Sequence, residues 1–513
     1  MLRRDRALER ALVANFLVHG VALLAMAALL LPALPGGSSA PDAERIATIA
    51  AHPWRFRIGW LPWQACAVVD VLLAVVMVRT RWLPRWPAYA VLAFTLAAVI
   101  PDQYAQAVWI TRGVELARTD ASAYLTLERA IFPLTAGWGA LLYTLAGLGW
   151  TWCFAKAGVW SRALTALSVP LWSTLFVAVV GPLLPEGRRP SPAFVSIANG
   201  VGFLLLQVWL GLVTEQVLRR ARPSEPFGRL APWRHPAPGF FARFIDGFAN
   251  SRLMSALLEP LPEAAMRSNI TDVVYVNYVV EAERLAPLVP PGLELQRLGP
   301  DRSYALFTFL TFRHGHFGFA FLGPFRRWLP SPVQTNWRIH VIDPRTGHAG
   351  IYFLTNAITL LGPALGARML SEGMPMHVLR RGEVTRTADG ALRVTLDPGD
   401  GSAPDAEITL RPRATPPVLA GAWAECWPDF RAFLAYCVPQ DRALSSQPLR
   451  RRTSRQEIDL GIPLEACQPF EGSVVSRSAR AIVGEAPPLC FAVARVDFEF
   501  TAEAHDAWAD SLR

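Results

Sequence analysis

The stretch ARPSEPFGRLAPWRHPAP, residues 221–238, divides this chain into two parts of different character. Six long apolar stretches precede it, and residues with the mixed, alternating polarity of a folded water-soluble domain follow it up to residue 513. Its five prolines predict an extended linker. The sequence therefore predicts a helical membrane anchor that carries a domain on one side of the bilayer.

The composition agrees with this division. Of the 513 residues 52% are hydrophobic and 18% are charged, and the mean hydropathy is +0.26, which excludes a disordered chain and favours a membrane protein. Lys156 is the one lysine. The arginines are scattered or flank the apolar stretches, whereas a nucleic-acid binder would cluster basic residues with aromatic ones on one face. We therefore predict no nucleic-acid partner.

Each apolar stretch is about 20 residues or longer, which is enough for a helix to cross the hydrocarbon of a bilayer. The first stretch is too long for the apolar core of a signal peptide, and no clear cleavage site follows it. We predict six transmembrane helices, at 11–34, 58–78, 87–110, 131–155, 163–185 and 191–216.

The basic residues of the loops predict the orientation, because cytoplasmic loops carry an excess of arginine and lysine. With the N-terminus inside, the inner segments hold twelve such residues and the outer segments hold eight. The short loop 79–86 and the flank after residue 218 contribute most to this bias. We predict a multi-pass protein of a bacterial inner membrane, with both termini and the C-terminal half in the cytoplasm.

Polar side chains interrupt the apolar stretches, among them His19, Asp70, Asp102 and Gln106. A carboxylate at membrane depth usually faces the interior of a helix bundle and has a partner. The positions of His19 and Asp70 within their stretches allow the two to pair. Such a pair is either a proton or substrate site or a structural hydrogen bond between helices.

We place the domain boundaries at 1–220 for the helical region, 221–265 for the linker and 266–513 for the C-terminal domain. Within the linker, 239–258 has the pattern of an amphipathic helix, with Phe241, Phe244, Ile245 and Phe248 at helical spacing. This helix either lies in the inner headgroup region or packs on the C-terminal domain.

After residue 269 the polarity alternates with a period of two, which predicts many strands and few helices. The predicted helices are 281–288, 363–372 and a stretch near 427–437. The predicted strands are 272–280, 303–313, 333–342, 349–358, 378–386, 391–397, 406–413, 473–481 and 490–500. This pattern predicts a mainly antiparallel sheet system.

The runs VNYVVEAERLAPLVPPGLEL (276–295) and QTNWRIHVIDPRTGHAGIYFLTNAI (334–358), followed by GPALGARMLSEGMPMHV (362–378), carry a family resemblance. They resemble the uncharacterised bacterial branch of the acetoacetate decarboxylase-like superfamily, over residues 266–500. The resemblance implies a β-barrel or cone with a pocket for a small molecule. It implies nothing about the helical half.

The superfamily's named enzyme forms a Schiff base on a lysine. No lysine follows Lys156 in this chain, and arginine stays protonated and is a poor nucleophile. We therefore expect the domain to bind a small organic, anionic molecule without Schiff-base decarboxylation. A reaction of another kind is left open.

Strand alternation places a run of polar residues on one face of 333–342, and Arg338 there could hold a carboxylate. His340 and Tyr352 could act as acid or base. Alternatively, this face is the solvent side of an antiparallel sheet. The candidate pocket residues are Gln334, Asn336, Arg338, His340, Tyr352, Asn356, Arg368 and His377. Arg368 could instead pair with Glu372 on the same helix.

The spacing of the cysteines and histidines predicts neither a cofactor nor a metal. The six cysteines contain no C-x-x-C pair. His314 and His316 have an H-x-H spacing, but the run from 313 to 318 has the composition of a glycine-rich loop and supplies no third ligand. The competing function class is a transporter or receptor that uses the intramembrane acids, with the C-terminal domain as its regulator. A third class is a scaffold with a filled pocket.

Overall fold

The computed structural model describes residues 5–35, 40–222, 224–258, 261, 266–371, 373–438, 441–447, 452–459, 461–500 and 504–507. Contacts divide the chain into two compact units, Met1–Pro223 and Ser224–Arg513. The units are described separately below.

The first unit is helical. Three of its helices continue into π-helical segments, at Met26–Leu30, Trp109–Gly113 and Pro133–Gly139. Its α-helices are α1 (Arg6–Ala25), α2 (Asp42–Ala51), α3 (Pro53–Arg79), α4 (Arg85–Val108), α5 (Val114–Thr119), α6 (Ala121–Phe132), α7 (Ala140–Lys156), α8 (Arg162–Val180) and α9 (Pro192–Ala221). Short 3₁₀ segments lie at Leu31–Ala33, Gly181–Leu183 and Glu186–Arg188.

Within the described residues six helical segments are long and apolar enough to cross a membrane. They are Arg6–Ala33, Pro53–Arg79, Arg85–Thr119, Ala121–Lys156, Arg162–Leu183 and Ala193–Ala221. The prediction of six long apolar helices is confirmed. Large apolar side chains such as Leu24, Leu72 and Ile100 are exposed, while Asn15 and Asp70 are buried. This distribution is the reverse of that in a water-soluble bundle.

The second unit is built on one large sheet, to which the described part of the chain contributes 14 strands. The strands are β1 (Met266–Glu281), β2 (Glu294–Leu295), β3 (Tyr304–Phe319), β4 (Val333–Ile342), β5 (Ala349–Ile358), β6 (Met376–Val378), β7 (Arg381–Arg386), β8 (Leu392–Asp397), β9 (Ala406–Pro412), β10 (Arg442–Gln447), β11 (Arg452–Asp459), β12 (Gln468–Val475), β13 (Leu489–Phe500) and β14 (Ala504–Ala507).

Short helices cover the sheet. They are α10 (Phe240–Ala249), α11 (Arg252–Leu258), α12 (Ala282–Leu285), α13 (Leu361–Leu370), α14 (Ala422–Cys426), α15 (Phe430–Cys437) and α16 (Arg477–Val483). Shorter 3₁₀ segments lie at Ala286–Leu288, Ala320–Trp328 and Leu464–Ala466. α10 buries Ala242, Ile245 and Ala249 and exposes Phe240, Phe241 and Phe244. One face of the predicted amphipathic helix thus packs within the second unit.

The strand order is β14-β11-β10-β5-β4-β3-β1-β13-β12-β9-β8-β7, and its pairs are antiparallel except where β5 meets β10 and β6. The prediction of a mainly antiparallel sheet is confirmed, but the sheet is not a closed barrel. One edge of β13 is shared, because Cys490 pairs with β12 and Phe500 with β11. Among the described residues β11 and β13 pair at Ile458↔Phe500 and Asp459↔Glu499.

Most predicted strands form with end shifts of a few residues. The predicted strand 473–481 is wrong in its second half, where Ser476 caps helix α16 by accepting a hydrogen bond from the Ala479 amide. The predicted loop 313–318 is also wrong, because β3 runs through it to Phe319. β2, β10, β11 and β14 were not predicted.

Both faces of the central strands are buried, and β4 is buried from Val333 to Val341. One face contributes Trp337, Ile339 and Tyr352 to a hydrophobic core. The opposite face contributes Tyr275 and Phe353 to a second core, completed by residues of α14 and α15. Strand β4 therefore has no solvent face, which corrects the alternative that its polar residues face water.

Candidate functional site

A cavity of about 480 Å³ lies on the Trp337 face of the sheet. Its walls come from the sheet, from α16 and from residues 226–232, which belong to the segment between α9 and α10. Its lining residues are Pro226, Phe227, Ala231, Pro232, Arg284, Leu288, Trp337, Leu354, Thr355, His377, Ser402, Ala403, Pro404, Ser478, Ala481 and Ile482.

The connecting segment is bound to the sheet by backbone hydrogen bonds. The Gly228 amide donates to the Leu354 carbonyl at 2.8 Å. Gly228 has a φ of +77°, and a Cβ there would lie 2.6 Å from the Tyr352 hydroxyl, so only glycine fits. Trp233 is buried, and its amide donates to Asn250 Oδ1. Within the described residues, the segment from 224 onward is thus a packed strap and not a free spacer.

His377 and Ser402 connect the cavity to this strap. His377 Nδ1 and Ser402 Oγ are 2.8 Å apart, and the same hydroxyl accepts a hydrogen bond from the Arg234 amide at 2.7 Å. Burial, together with the charge of Arg368, lowers the pKa of His377 to about 3. His377 is therefore neutral at physiological pH, and its imidazole can donate a hydrogen bond to a ligand or accept one from it.

Arg284 supplies the charge at the cavity. Its Nε donates to the Ile482 carbonyl at 3.3 Å, which holds the side chain against α16. Among the described lining residues Arg284 is the charged one, and no carboxylate lines the cavity. The cavity thus combines apolar walls with neutral hydrogen-bonding groups and one cation.

A β-bulge separates the predicted pocket residues of β5. The register passes from Trp337↔Thr355 to Arg338↔Phe353, so Leu354 is the extra residue. Tyr352 consequently pairs with Ile339 on the cavity side of the sheet, while Asn356 pairs with Asn336 on the other side. Regular alternation would place Tyr352, Leu354 and Asn356 on one face, and the bulge moves Asn356 to the other.

The other face carries a buried chain of polar side chains. His314 bridges Ser268 and Gln334, each at 2.8 Å. Gln334 Nε2 and Asn356 Nδ2 both donate to Asn336 Oδ1, at 2.8 and 2.7 Å. Burial lowers the pKa of His314 to about 4, so the imidazole is neutral. These hydrogen bonds connect side chains of β1, β3, β4 and β5, while Asn356 Oδ1 is buried without a partner among the described residues.

Arg338 and His340 lie further along the same face, away from the cavity. The Arg338 guanidinium lies over the Tyr275 ring at 5.7 Å, and the His340 ring stacks on Tyr436 with centroids 5.0 Å apart. Burial and then the charge of Arg338 lower the pKa of His340 to about 3. Gln334, Asn336, Arg338 and His340 thus share one face, as strand alternation predicts, and Asn356 joins them, while Tyr352 and His377 lie on the other.

Arg368 is a structural residue of α13. Its Nε donates to the Ala249 carbonyl at 2.9 Å and its Nη2 to the Ala231 carbonyl at 2.5 Å. Burial, followed by the charges of Arg252 and Arg229, lowers its pKa to about 9. Arg368 therefore links α13 to the strap by hydrogen bonds. The predicted partner Glu372 lies outside the described residues.

The helical unit has its own buried polar groups. Asn15 Nδ2 donates to Asp70 Oδ1 at 2.6 Å, and His19 Nε2 lies 3.9 Å from Asp70 Oδ2. Asp102 accepts hydrogen bonds from Gln106 at 3.0 Å and from Thr135 of the π-helical segment Pro133–Gly139. His19 and Asp70 are thus close together, while Asp102 and Gln106 form a second group.

Sequence reasoning missed most of the cavity. Arg284 lies in the run 276–295, but nothing in the sequence indicates that its charged side chain lines a cavity. Phe227 belongs to the predicted linker, and Ser402, Ser478 and Ile482 come from turns and from α16. Their convergence depends on sheet pairings between distant segments. No metal-binding group of His, Cys, Asp or Glu occurs within the part of the chain that was described.

The second unit contains a region that matches a known protein family. Residues 267–422 match the DUF2071 family, described as an uncharacterized conserved protein. No protein of curated function matches the chain.

Among solved structures, the enduracididine biosynthesis enzyme MppR with HEPES buffer bound is similar at 16% identity and a TM-score of 0.31, covering 49% of this chain and 89% of that one. MppR complexed with pyruvate gives 16% identity and a TM-score of 0.30, covering 48% of this chain and 91% of that one. An acetoacetate decarboxylase-like enzyme from Sphingomonas wittichii RW1 gives 7% identity and a TM-score of 0.34, over 48% and 95%.

The predicted C-terminal domain contains the matched region, and the predicted long apolar helices precede it in the chain. This chain therefore joins a region that matches the DUF2071 family, at residues 267–422, to an N-terminal region with six long apolar helical segments among its described residues.

Proposed function

We propose that the second unit binds a small organic anion in the cavity beside Trp337. The observation that carries this proposal is the cavity itself, whose volume of about 480 Å³ falls within the range of small-molecule sites. Its apolar walls, among them Phe227, Trp337 and Ile482, would bury the body of the ligand. His377, Ser402 and Arg284 would fix its polar end.

The charge of the lining favours an anion. Arg284 lies at the cavity with no carboxylate among the described lining residues, and His377 is neutral. A ligand carboxylate would therefore gain attraction from the guanidinium without repulsion from the walls. No chemical step is assigned to the bound molecule.

The sequence argues against Schiff-base decarboxylation in this unit. Lys156 belongs to α7 of the helical unit, and residues 224–513 contain no lysine. The test is treatment of the full chain with a β-keto acid and borohydride. We expect no covalent adduct by mass spectrometry, and a trapped imine would refute this part of the proposal.

Binding is tested by native mass spectrometry of the detergent-solubilised full chain, looking for a small molecule that co-purifies. Ala481→Trp should fill the cavity and remove that molecule, and Arg284→Gln should weaken its retention. Arg411→Gln, at an exposed position of β9, is the matched control. The proposal is contradicted if Ala481→Trp retains the small molecule as well as the wild type does. It is also contradicted if no small molecule co-purifies with any form of the protein.

We also propose that the helical unit crosses a bacterial inner membrane, with both termini and the second unit in the cytoplasm. The exposed apolar and buried polar side chains of the helices support this, as does the bias of twelve to eight basic residues. The lipid bilayer is then a partner of the chain. A reporter fused after Arg513 should be active only in the cytoplasm, and activity only in the periplasm would overturn this orientation.

A second function class is a transporter or receptor in which the helices act and the second unit regulates. The buried carboxyl groups of Asp70 and Asp102 favour it, because acids at such positions commonly mark functional sites. The two classes are separated by complementing the phenotype of a deletion strain. If Asp70→Asn and Asp102→Asn fail to complement the deletion strain while Ala481→Trp still does, the transport class is favoured. The opposite result would favour the cavity.

A further inference from the structure

A second site lies on the opposite face of the sheet from the cavity, around Arg338. This residue is 3% exposed, and neither its Nε nor its Nη2 has a hydrogen-bond partner. The adjacent His340 is 1% exposed, and its Nε2 is also without a partner. Two buried side chains on one face of β4, two residues apart, thus carry polar atoms that have no partner among the described residues.

The polar groups around Arg338 are occupied with one another. Asn277 Oδ1 accepts hydrogen bonds from the Thr308 hydroxyl at 2.9 Å and from the Cys437 thiol at 3.3 Å. The Tyr436 hydroxyl donates to Gln296 Oε1 at 2.9 Å. The Tyr275 hydroxyl and the Cys437 thiol lie beside the Arg338 guanidinium, but Nε and Nη2 have no hydrogen-bond partner among the described residues.

Among the described residues no protein anion compensates the charge. Among the described ion pairs none includes Arg338, so no described carboxylate comes within 4.0 Å of its guanidinium. Tyr275 and Cys437 lie beside it, but burial raises the pKa of Tyr275 to about 12 and that of Cys437 to about 11. Both groups are therefore neutral at physiological pH.

Arginine itself cannot relieve the imbalance. Its guanidinium does not lose its proton in proteins, and a buried charge without a partner is strongly unfavourable. The remaining way to balance the charge is an anion from solution. Its size is limited by the packing of Phe353 and Cys437 in the same core.

We propose that Arg338 and His340 form a buried binding site for a small monovalent anion, either chloride or the carboxylate of a formate-sized acid. Nε and Nη2 of Arg338 would donate two hydrogen bonds to it. His340 would donate a third from Nε2, in the tautomer that carries its proton there. The site is independent of the cavity, because it lies on the other side of β4.

The test uses the full chain in detergent at constant ionic strength, with isethionate, which is too large for the site, replaced stepwise by chloride or by formate. We expect a saturable rise in Tm of ~5 °C in the wild type, since a ligand that binds only the folded state stabilises it. Arg393→Gln, at an exposed position of β8, should show the same rise. The anion that gives half of the rise in Tm at the lower concentration is the one that the site prefers.

Arg338→Gln should abolish the dependence on the anion, and His340→Phe, which retains an aromatic ring to stack on Tyr436, should raise the half-saturating concentration about tenfold. If Arg338→Gln does not fold, chloride binding is measured by the exchange broadening of the ³⁵Cl resonance. The wild type should broaden this resonance, and formate should relieve the broadening. His340→Phe should broaden it less than the wild type does. A Tm that is independent of anion identity in the wild type, or an equal rise in Arg338→Gln, would overturn the proposal.

Discussion

Trp337 and Arg338 are consecutive residues of β4, and their side chains lie on opposite faces of a sheet that is buried on both sides. Trp337 lines the 480 Å³ cavity, whereas the Arg338 guanidinium lies over the Tyr275 ring. One short strand therefore separates two proposed sites of different chemistry. Substitutions at the two positions should affect different ligands.

The cavity face depends on aromatic packing. The rings of Phe309 and Trp337 are stacked, with centroids 4.5 Å apart and planes at 11°. Phe309→Ala should lower the free energy of unfolding by ~3–5 kcal/mol, because it leaves a void in a closely packed core. Denaturant unfolding of the detergent-solubilised chain measures this. Val418→Ala, at a side chain that is 95% exposed, should change stability by less than about 0.5 kcal/mol. Equal losses would show that Phe309 does not support the core.

Stability should fall as pH falls below about 6.5, in part because of His314. Burial lowers its pKa to about 4 in the folded chain, whereas an unfolded histidine has a pKa of about 6.5. The unfolded state therefore binds more protons between these values, so protonation favours unfolding there and has no effect above neutrality.

The variant that isolates this effect is His314→Gln, which retains polar contacts to Ser268 and Gln334 but does not titrate. The difference in pH dependence between wild type and variant should grow below pH 6.5 and reach at most about 3 kcal/mol near pH 4. Unfolding curves at several pH values measure it. Parallel pH profiles for the two proteins would contradict a buried neutral His314.

The helical unit contains a buried ion pair that should be sensitive to loss of either partner. Arg45 is fully buried and donates to both carboxylate oxygens of Glu128, at 2.8 and 2.9 Å. Glu128→Gln should lower stability by about 3–5 kcal/mol, since it removes the main counter-charge of a buried guanidinium. Thermal unfolding in detergent measures the change. Glu44→Gln, at an exposed position of α2, is the control and should melt like the wild type.

Ser402 should control how tightly the strap is held. Its hydroxyl accepts from the Arg234 amide and contacts His377 Nδ1. Ser402→Ala removes both contacts, so amide hydrogen exchange in residues 226–236 should become faster, by about tenfold if one hydrogen bond is worth ~1 kcal/mol or slightly more. Ser473→Ala, at an exposed position of β12, should leave exchange in this segment unchanged. Unchanged exchange with Ser402→Ala would mean that other contacts hold the strap.

Much of the fold could be predicted from local pattern. The apolar helices follow from runs of about 20 residues, and β4 and β5 form within the predicted bounds 333–342 and 349–358. The polar face Gln334, Asn336, Arg338 and His340 also follows, because a regular strand alternates its side chains. β10 and β11 could not be found this way, since arginine, serine and glutamine dominate them and pairing with distant strands stabilises them.

The sequence by itself determined the number of long apolar helices and the absence of lysine from residues 224–513, because both depend only on residue type along the chain. The tertiary structure alone decided which polar residues meet. The bulge at Leu354 turns Tyr352 away from Asn356, and the packed strap brings Phe227 to Trp337 and His377. A one-residue shift in strand register reverses the face of every following side chain, and that shift is fixed by pairing across the sheet and not by local sequence.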